Sequence, residues 1–142
     1  MIGNKTYMNR QLVNFLPFTL GSRWDTVKCP LKYIGTYYYE RFEVYELTDK
    51  LIDKLCNHLV SKIELVKFDD LVIGIKVYFD VDVTCYDNVR LEIDKEVKVK
   101  GKLTSSWERL NYGWKNSTQK LDLIVGKDER LILIYSIGEY EL

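Results

Sequence analysis

Residues 48–63 read TDKLIDKLCNHLVSKI, and the spacing of their apolar side chains decides the fold expected for the chain. Leu51, Ile52, Leu55, Cys56, Leu59, Val60 and Ile63 follow one another at steps of one, three, one, three, one and three. That is a broad stripe at the helical period, and Thr48 just before it is a good N-cap. The spacing predicts an amphipathic helix over 48–63 with one face laid on a sheet. Lys50, Asp53, Lys54, Asn57, His58, Ser61 and Lys62 fill the opposite face, which puts the single histidine in solvent without a catalytic role.

Downstream of Asp70 the period drops to two. Ile73, Ile75, Val77, Phe79, Val81, Val83 and Cys85 alternate with Gly74, Lys76, Tyr78, Asp80, Asp82, Thr84 and Tyr86, the pattern of a long strand with one wet face. A turn at Asp87-Asn88 then leads to a second alternating stretch. There Val89, Leu91, Ile93, Val97, Val99 and Leu103 point inward, with Lys95 the one charge in that set. An antiparallel hairpin is expected. A final hairpin is expected from 121–125, through Gly126-Lys127-Asp128, to 131–137, whose Leu131, Ile132, Leu133, Ile134 and Tyr135 are apolar on both faces and so call for cover on two sides.

Upstream, residues 6–15 read as a short helix stopped by Leu16-Pro17, 21–30 as loop and 33–47 as an extended, tyrosine-rich segment. The expected architecture is therefore α+β: a single domain, 1–142, with one helix on a curved antiparallel sheet of about five strands, a helix plus a four-stranded meander, preceded by a short helix or irregular arm.

Composition narrows the function classes. With 142 residues, 46% of them hydrophobic, the chain can build a core without disulfides or a metal. Lys+Arg and Asp+Glu both number 21, so the global positive field of non-specific nucleic-acid binders is missing. No apolar run approaches the roughly 20 residues of a membrane span, and the start MIGNKTYMNRQLV lacks the layout of a signal peptide. A cytoplasmic protein, in a host cell or a virion, is expected. Cys29, Cys56 and Cys85 are odd in number and far apart, which suits reduced thiols acting as small buried hydrophobes better than a zinc site. The sequons at Asn4 and Asn116 carry no meaning in that compartment. The chain has no alanine, and alanine codons are GC-rich, so an AT-rich genome such as that of a phage or mobile element is the expected source. There is no glycine-rich phosphate loop, nucleophile elbow or HExxH, and no enzyme, cofactor or metal is expected.

The segment TSSWERLNYGWKNST, 104–118, holds the expected binding residues Trp107, Arg109, Tyr112, Trp114 and Lys115. Tryptophan, tyrosine and arginine dominate protein interfaces, and the same set can stack a nucleobase. The bland alternative folds both indoles over the end of the sheet. The leading expectation is a non-enzymatic protein-binding or assembly module, a virion connector or decoration component or an inhibitor of a host protein, acting with a protein partner as a homo-oligomer or complex subunit. Its alternative is a binder of nucleotide or single-stranded nucleic acid through 104–118. The expected strand pair also sets Asp80 and Asp82 opposite Glu92, Asp94 and Glu96, an unfavourable arrangement that a bulge near 86–88, a basic partner or a cation would have to relieve.

Overall fold

The computed structural model describes residues 11–37, 41–103, 111–138, 140 and 142. Among them nine strands form one antiparallel sheet: β1 (Leu31–Tyr37), β2 (Phe42–Leu47), β3 (Lys54–Leu55), β4 (His58–Phe68), β5 (Leu71–Asp82), β6 (Lys102–Leu103), β7 (Asn111–Lys115), β8 (Gln119–Val125) and β9 (Arg130–Ile137). The spatial order is β1-β2-β4-β5-β9-β8-β7-β6, with β3 paired to β4 alone. One helix, α1 (Tyr86–Glu96), follows a single 3-10 turn at Val83–Cys85 between β5 and β6. The expected helix on a five-stranded sheet is corrected on two counts: the sheet is larger, and the helix occupies a different segment.

The stretch 48–63 is not a helix. Leu51, Cys56 and Asn57 have φ of 64°, 50° and 65°, values that no right-handed helix admits. Cys56 and Asn57 are the two turn residues between β3 and β4, where Leu55 pairs with His58, and positive φ at both positions is what a two-residue hairpin turn requires. Asp69 and Asp70, at 52° and 62°, make the same kind of turn between β4 and β5. The helical spacing in the sequence has a simple origin. β4 carries a bulge between Val60 and Lys62, so Val60 opposite Phe79 and Ile63 opposite Val77 share a face although they lie three residues apart. A bulged strand thus imitates one turn of helix.

The converse error falls on 89–103. β5 ends at Asp82, whose carboxylate accepts from the backbone N–H of Thr84 at 3.0 Å and starts the helical turn. Tyr86, Val89 and Ile93 are buried at steps of three and four, while Leu91, inward by alternation, is 49% exposed. Arg90 pairs with Asp87 and Asp94, and Lys95 with Glu92, at the i,i+3 and i,i+4 distances that support a helix. Val89, Ile93 and Val97 stand four apart, a spacing shared by strand and helix, so alternation alone could not separate them. The acids never face each other across a sheet: Asp80 on β5 is paired with Arg130 on β9, and Glu92 and Asp94 ride on the helix.

The β8-β9 hairpin holds, and the β5 alternation holds from Ile73 to Asp82, beyond which Val83 to Cys85 turn into the 3-10 segment. Ile73, Ile75, Val77 and Phe79 are fully buried, and β8 pairs with β9 from Gln119↔Ile137 to Val125↔Leu131. β9 lies between β5 and β8, so Leu131, Leu133 and Tyr135 sit in the centre of the sheet. The expected short N-terminal helix falls partly on 6–10, outside the described residues; 11–15 are irregular. Leu12, Val13 and Leu20 nonetheless join the core. The backbone N–H of Leu12 donates to Gln119 Oε1 at 2.7 Å and to the Tyr135 hydroxyl at 2.9 Å. The other side of β9 is mixed rather than apolar: Ile132 lies beside Tyr78 and Ile124, Ile134 beside Lys76 and Asp122, and both are half-buried within the single chain.

Leu55 and Leu59, equivalent on a helical stripe, are separated by the strand: Leu55 is 6% exposed and Leu59 48%. Leu55→Ala should cost about 2–4 kcal/mol in urea melts, and Leu59→Ala within about 0.5 kcal/mol of nothing. Equal losses would restore the helix.

Candidate functional site

The site grows out of one crossing of the chain. Trp114 on β7 is 1% exposed, and its Nε1–H donates to Asp94 Oδ1 on α1 at 2.7 Å, so the indole bolts the helix to the far end of the sheet. Between α1 and β6 the chain must pass over this indole. It does so at Gly101, where a Cβ would stand 2.1 Å from Tyr112 Cε1 and 2.5 Å from Trp114 Nε1, so only glycine fits. Val97 is buried and Val99 half-buried on the way in.

Two open grooves flank α1, one of about 550 Å³ toward the β3-β4 turn and one of about 460 Å³ toward β6 and β7. The smaller is lined by Val83, Tyr86, Asp87, Arg90, Leu103 and Tyr112. The Arg90 guanidinium lies 5.1 Å from the centre of the Tyr112 ring and is held by Asp87 at 3.7 Å and Asp94 at 3.5 Å. Tyr112 also packs on Trp114, with ring centres 4.9 Å apart. Tyr86 is 7% exposed and its hydroxyl has no hydrogen-bond partner among the described residues. Burial, ahead of the neighbouring charges, pushes its pKa up, so it stays a neutral phenol. Leu103, the last residue of the sheet edge, is 56% exposed at the pocket mouth.

The larger groove is lined by Asn57, His58, Asn88, Leu91, Glu92 and Lys95, where the β3-β4 turn meets the helix. Asn57 donates to Glu92 Oε2 at 3.3 Å. The Cys56 thiol beside it is pushed up to about 11 by burial and by Glu96 and Glu92, which keeps it protonated at neutral pH. His58, placed on a solvated helix face by the sequence, is instead half-buried at the start of β4.

Of the five residues expected to bind, the structure brings Tyr112 to the pocket and puts Trp114 in the core. Trp107 and Arg109 lie outside the described residues. Lys115 is exposed at the end of β7, turned by strand alternation away from Tyr112 and Trp114. The Trp114 indole is enclosed, and it seats the helix through Asp94. Sequence reasoning misses Tyr86, Arg90 and Leu103, because the alternation places a turn at Asp87-Asn88 and a strand over 89–103 where the structure has the helix. Read at steps of four, Tyr86, Arg90 and Asp94 form a single row, and that signal was present.

The chain matches no family model, no curated protein and no solved structure among those compared with it. The site therefore stands on its own geometry.

Two substitutions test it. Gly101→Ala pushes a methyl into two packed rings and should cost about 1–3 kcal/mol in urea unfolding. Tyr86→Phe removes a buried hydroxyl that lacks a partner and should leave stability unchanged or raise it, by up to about 1–3 kcal/mol. A clear loss for Tyr86→Phe would show that the hydroxyl is engaged after all.

Proposed function

We propose that the protein is a non-enzymatic protein-binding module whose contact surface is the pocket between α1 and the β6-β7 edge. The observation that carries this reading is the exposed Leu103 beside a pocket containing Arg90, Tyr112 and the unpartnered Tyr86 hydroxyl. An exposed leucine at the rim of a concave, largely apolar site is the arrangement that a partner side chain fills, and a guanidinium and an aromatic ring are the groups that anchor such contacts. The pocket is prepaid in the sense that its walls are rigid: Asp87 and Asp94 hold Arg90, and Trp114 supports Tyr112.

The reading as a base-stacking platform has less support. Trp114 is enclosed, and Tyr112 already has Arg90 over its ring and Trp114 beside it, which leaves little free π-surface. Assembly into a virion or action on a host protein are narrower forms of the same proposal, and the coding bias is what favours them.

Affinity capture with the full chain, compared with Leu103→Asp, tests the reading. The variant changes an exposed residue and should leave the melting temperature within a few degrees. A protein held by the parent chain and lost by Leu103→Asp supports the proposal; identical captured proteins for both overturn it.

A further inference from the structure

The face of the sheet that carries Ile132 and Ile134 holds a half-buried cation that no carboxylate claims. Lys76 on β5 stands opposite Glu64 on β4, yet the two form no ion pair. Both Glu64 oxygens are already engaged: Oε1 accepts from the Tyr78 hydroxyl at 2.8 Å, and Oε2 faces the Lys62 ammonium at 3.4 Å. Among the described residues Lys76 takes part in no salt bridge. Its Nζ stands instead over the Tyr37 ring of β1, 5.4 Å from the ring centre.

The surroundings make that charge hard to keep. On the other flank β9 offers Ile134, directly opposite Lys76. Lys62, from β4, offsets the one carboxylate close by. Glu46 on β2 lies a strand beyond Glu64, and Asp122 on β8 a strand beyond Ile134. The two phenols are neutral: burial, ahead of Glu64, pushes Tyr37 up to about 12, and burial and the bond to Glu64 hold Tyr78 far above its ordinary value. For Lys76 itself burial lowers the pKa and outweighs the opposing pull of Glu64. A partly dehydrated lysine without a counter-ion keeps more of its amine unprotonated, and the unprotonated amine is the nucleophile.

We propose that Lys76 is a carbonyl-capturing residue, at which the protein forms an imine with a small uncharged aldehyde whose apolar end rests on Ile134. The site is separate from the pocket beside α1 and does not depend on the protein-binding reading. The amine nitrogen attacks the carbonyl carbon, and the π pair of the C=O bond moves to oxygen, which takes up a proton while the nitrogen gives one up. The carbinolamine then loses that oxygen as water and a C=N bond forms, so nothing is oxidised or reduced. An uncharged aldehyde fits because Lys62 and Glu64 already balance one another beside the amine.

Reductive trapping on the full chain tests the assignment. Propanal and cyanoborohydride at about pH 7, followed by peptide mass spectrometry, compare initial labelling at Lys76 with that at the exposed Lys98 and Lys100. Each unit by which a lysine pKa falls gives about tenfold more free amine, so Lys76 should label several-fold faster, and its lead should shrink near about pH 10, where exposed lysines also lose their proton. Two substitutions should move the rate at Lys76 in opposite directions, by about two- to tenfold each. E64Q removes the carboxylate that favours the ammonium and should speed labelling. K62M, at a side chain 40% exposed, leaves Glu64 unbalanced and should slow it, and this variant carries the test alone if E64Q fails to fold. Labelling of Lys76 no faster than of Lys98 and Lys100 would overturn the proposal. A lead that neither variant changes would overturn it too, since an amine that is merely accessible behaves that way.

Discussion

The structure hangs on the pairing of β5 with β9. The chain from β1 to β5 builds one half of the sheet, the chain from β6 to β9 builds the other, and the pairing of Gly74–Tyr78 with Ile132–Ser136, resumed at Asp82 opposite Arg130, joins them. The strand nearest the C-terminus is thus a central one. Its Leu131, Leu133 and Tyr135 are inaccessible to solvent because neighbours lie on both edges and the N-terminal arm lies above. The Tyr135 hydroxyl and Gln119 are bonded to one another and both accept from Leu12, so the arm is anchored on the same strand that joins the two halves. A long-range pairing of this kind forms late and carries loop-closure entropy that local contacts do not repay.

The opposite face of the sheet is finished differently at its two ends. Near Gly74 the chain terminus supplies the cover, with Leu142 so close that a Cβ on Gly74 would overlap it and with Tyr140 packed edge-on against Phe42 and Phe68. Toward the other end the cover gives way to a polar network. Tyr78 donates to Glu64 at 2.8 Å, Lys62 pairs with Glu64 at 3.4 Å and stands over the Tyr78 ring, and Lys76 stands over Tyr37. Burial pulls the Lys76 pKa down and outweighs the opposing influence of Glu64. Half-buried isoleucines therefore sit among charges.

Fold and candidate site meet at one indole. Trp114 receives the helix through Asp94, supports Tyr112 from beside, and is crossed by the chain at Gly101, so the wall of the pocket and the helix share one foundation. The buried Trp114 is therefore what sets the position of Tyr112 and of the helix beside it. Arg90, balanced between Asp87 and Asp94, holds its place over Tyr112 without a ligand, an arrangement suited to recognition with little reordering.

What the sequence determined by itself were the elements whose pattern admits one reading. The unbroken alternation of Ile73 to Phe79 can only be a strand with one dry face, and the paired apolar runs about Gly126-Lys127-Asp128 can only be a hairpin. Tertiary structure decided the rest, because there the local pattern was shared by two conformations. A bulge at Ser61 turned a period of two into a step of three, and a spacing of four from Val89 to Val97 belonged to helix and strand alike. Which one formed depended on what lay across from it: β5 offered Phe79 and Val77 to Val60 and Ile63, while Trp114 offered its indole N–H to Asp94. The direction of the Trp114 indole is likewise set by a partner distant along the chain, Asp94, which no local spacing records.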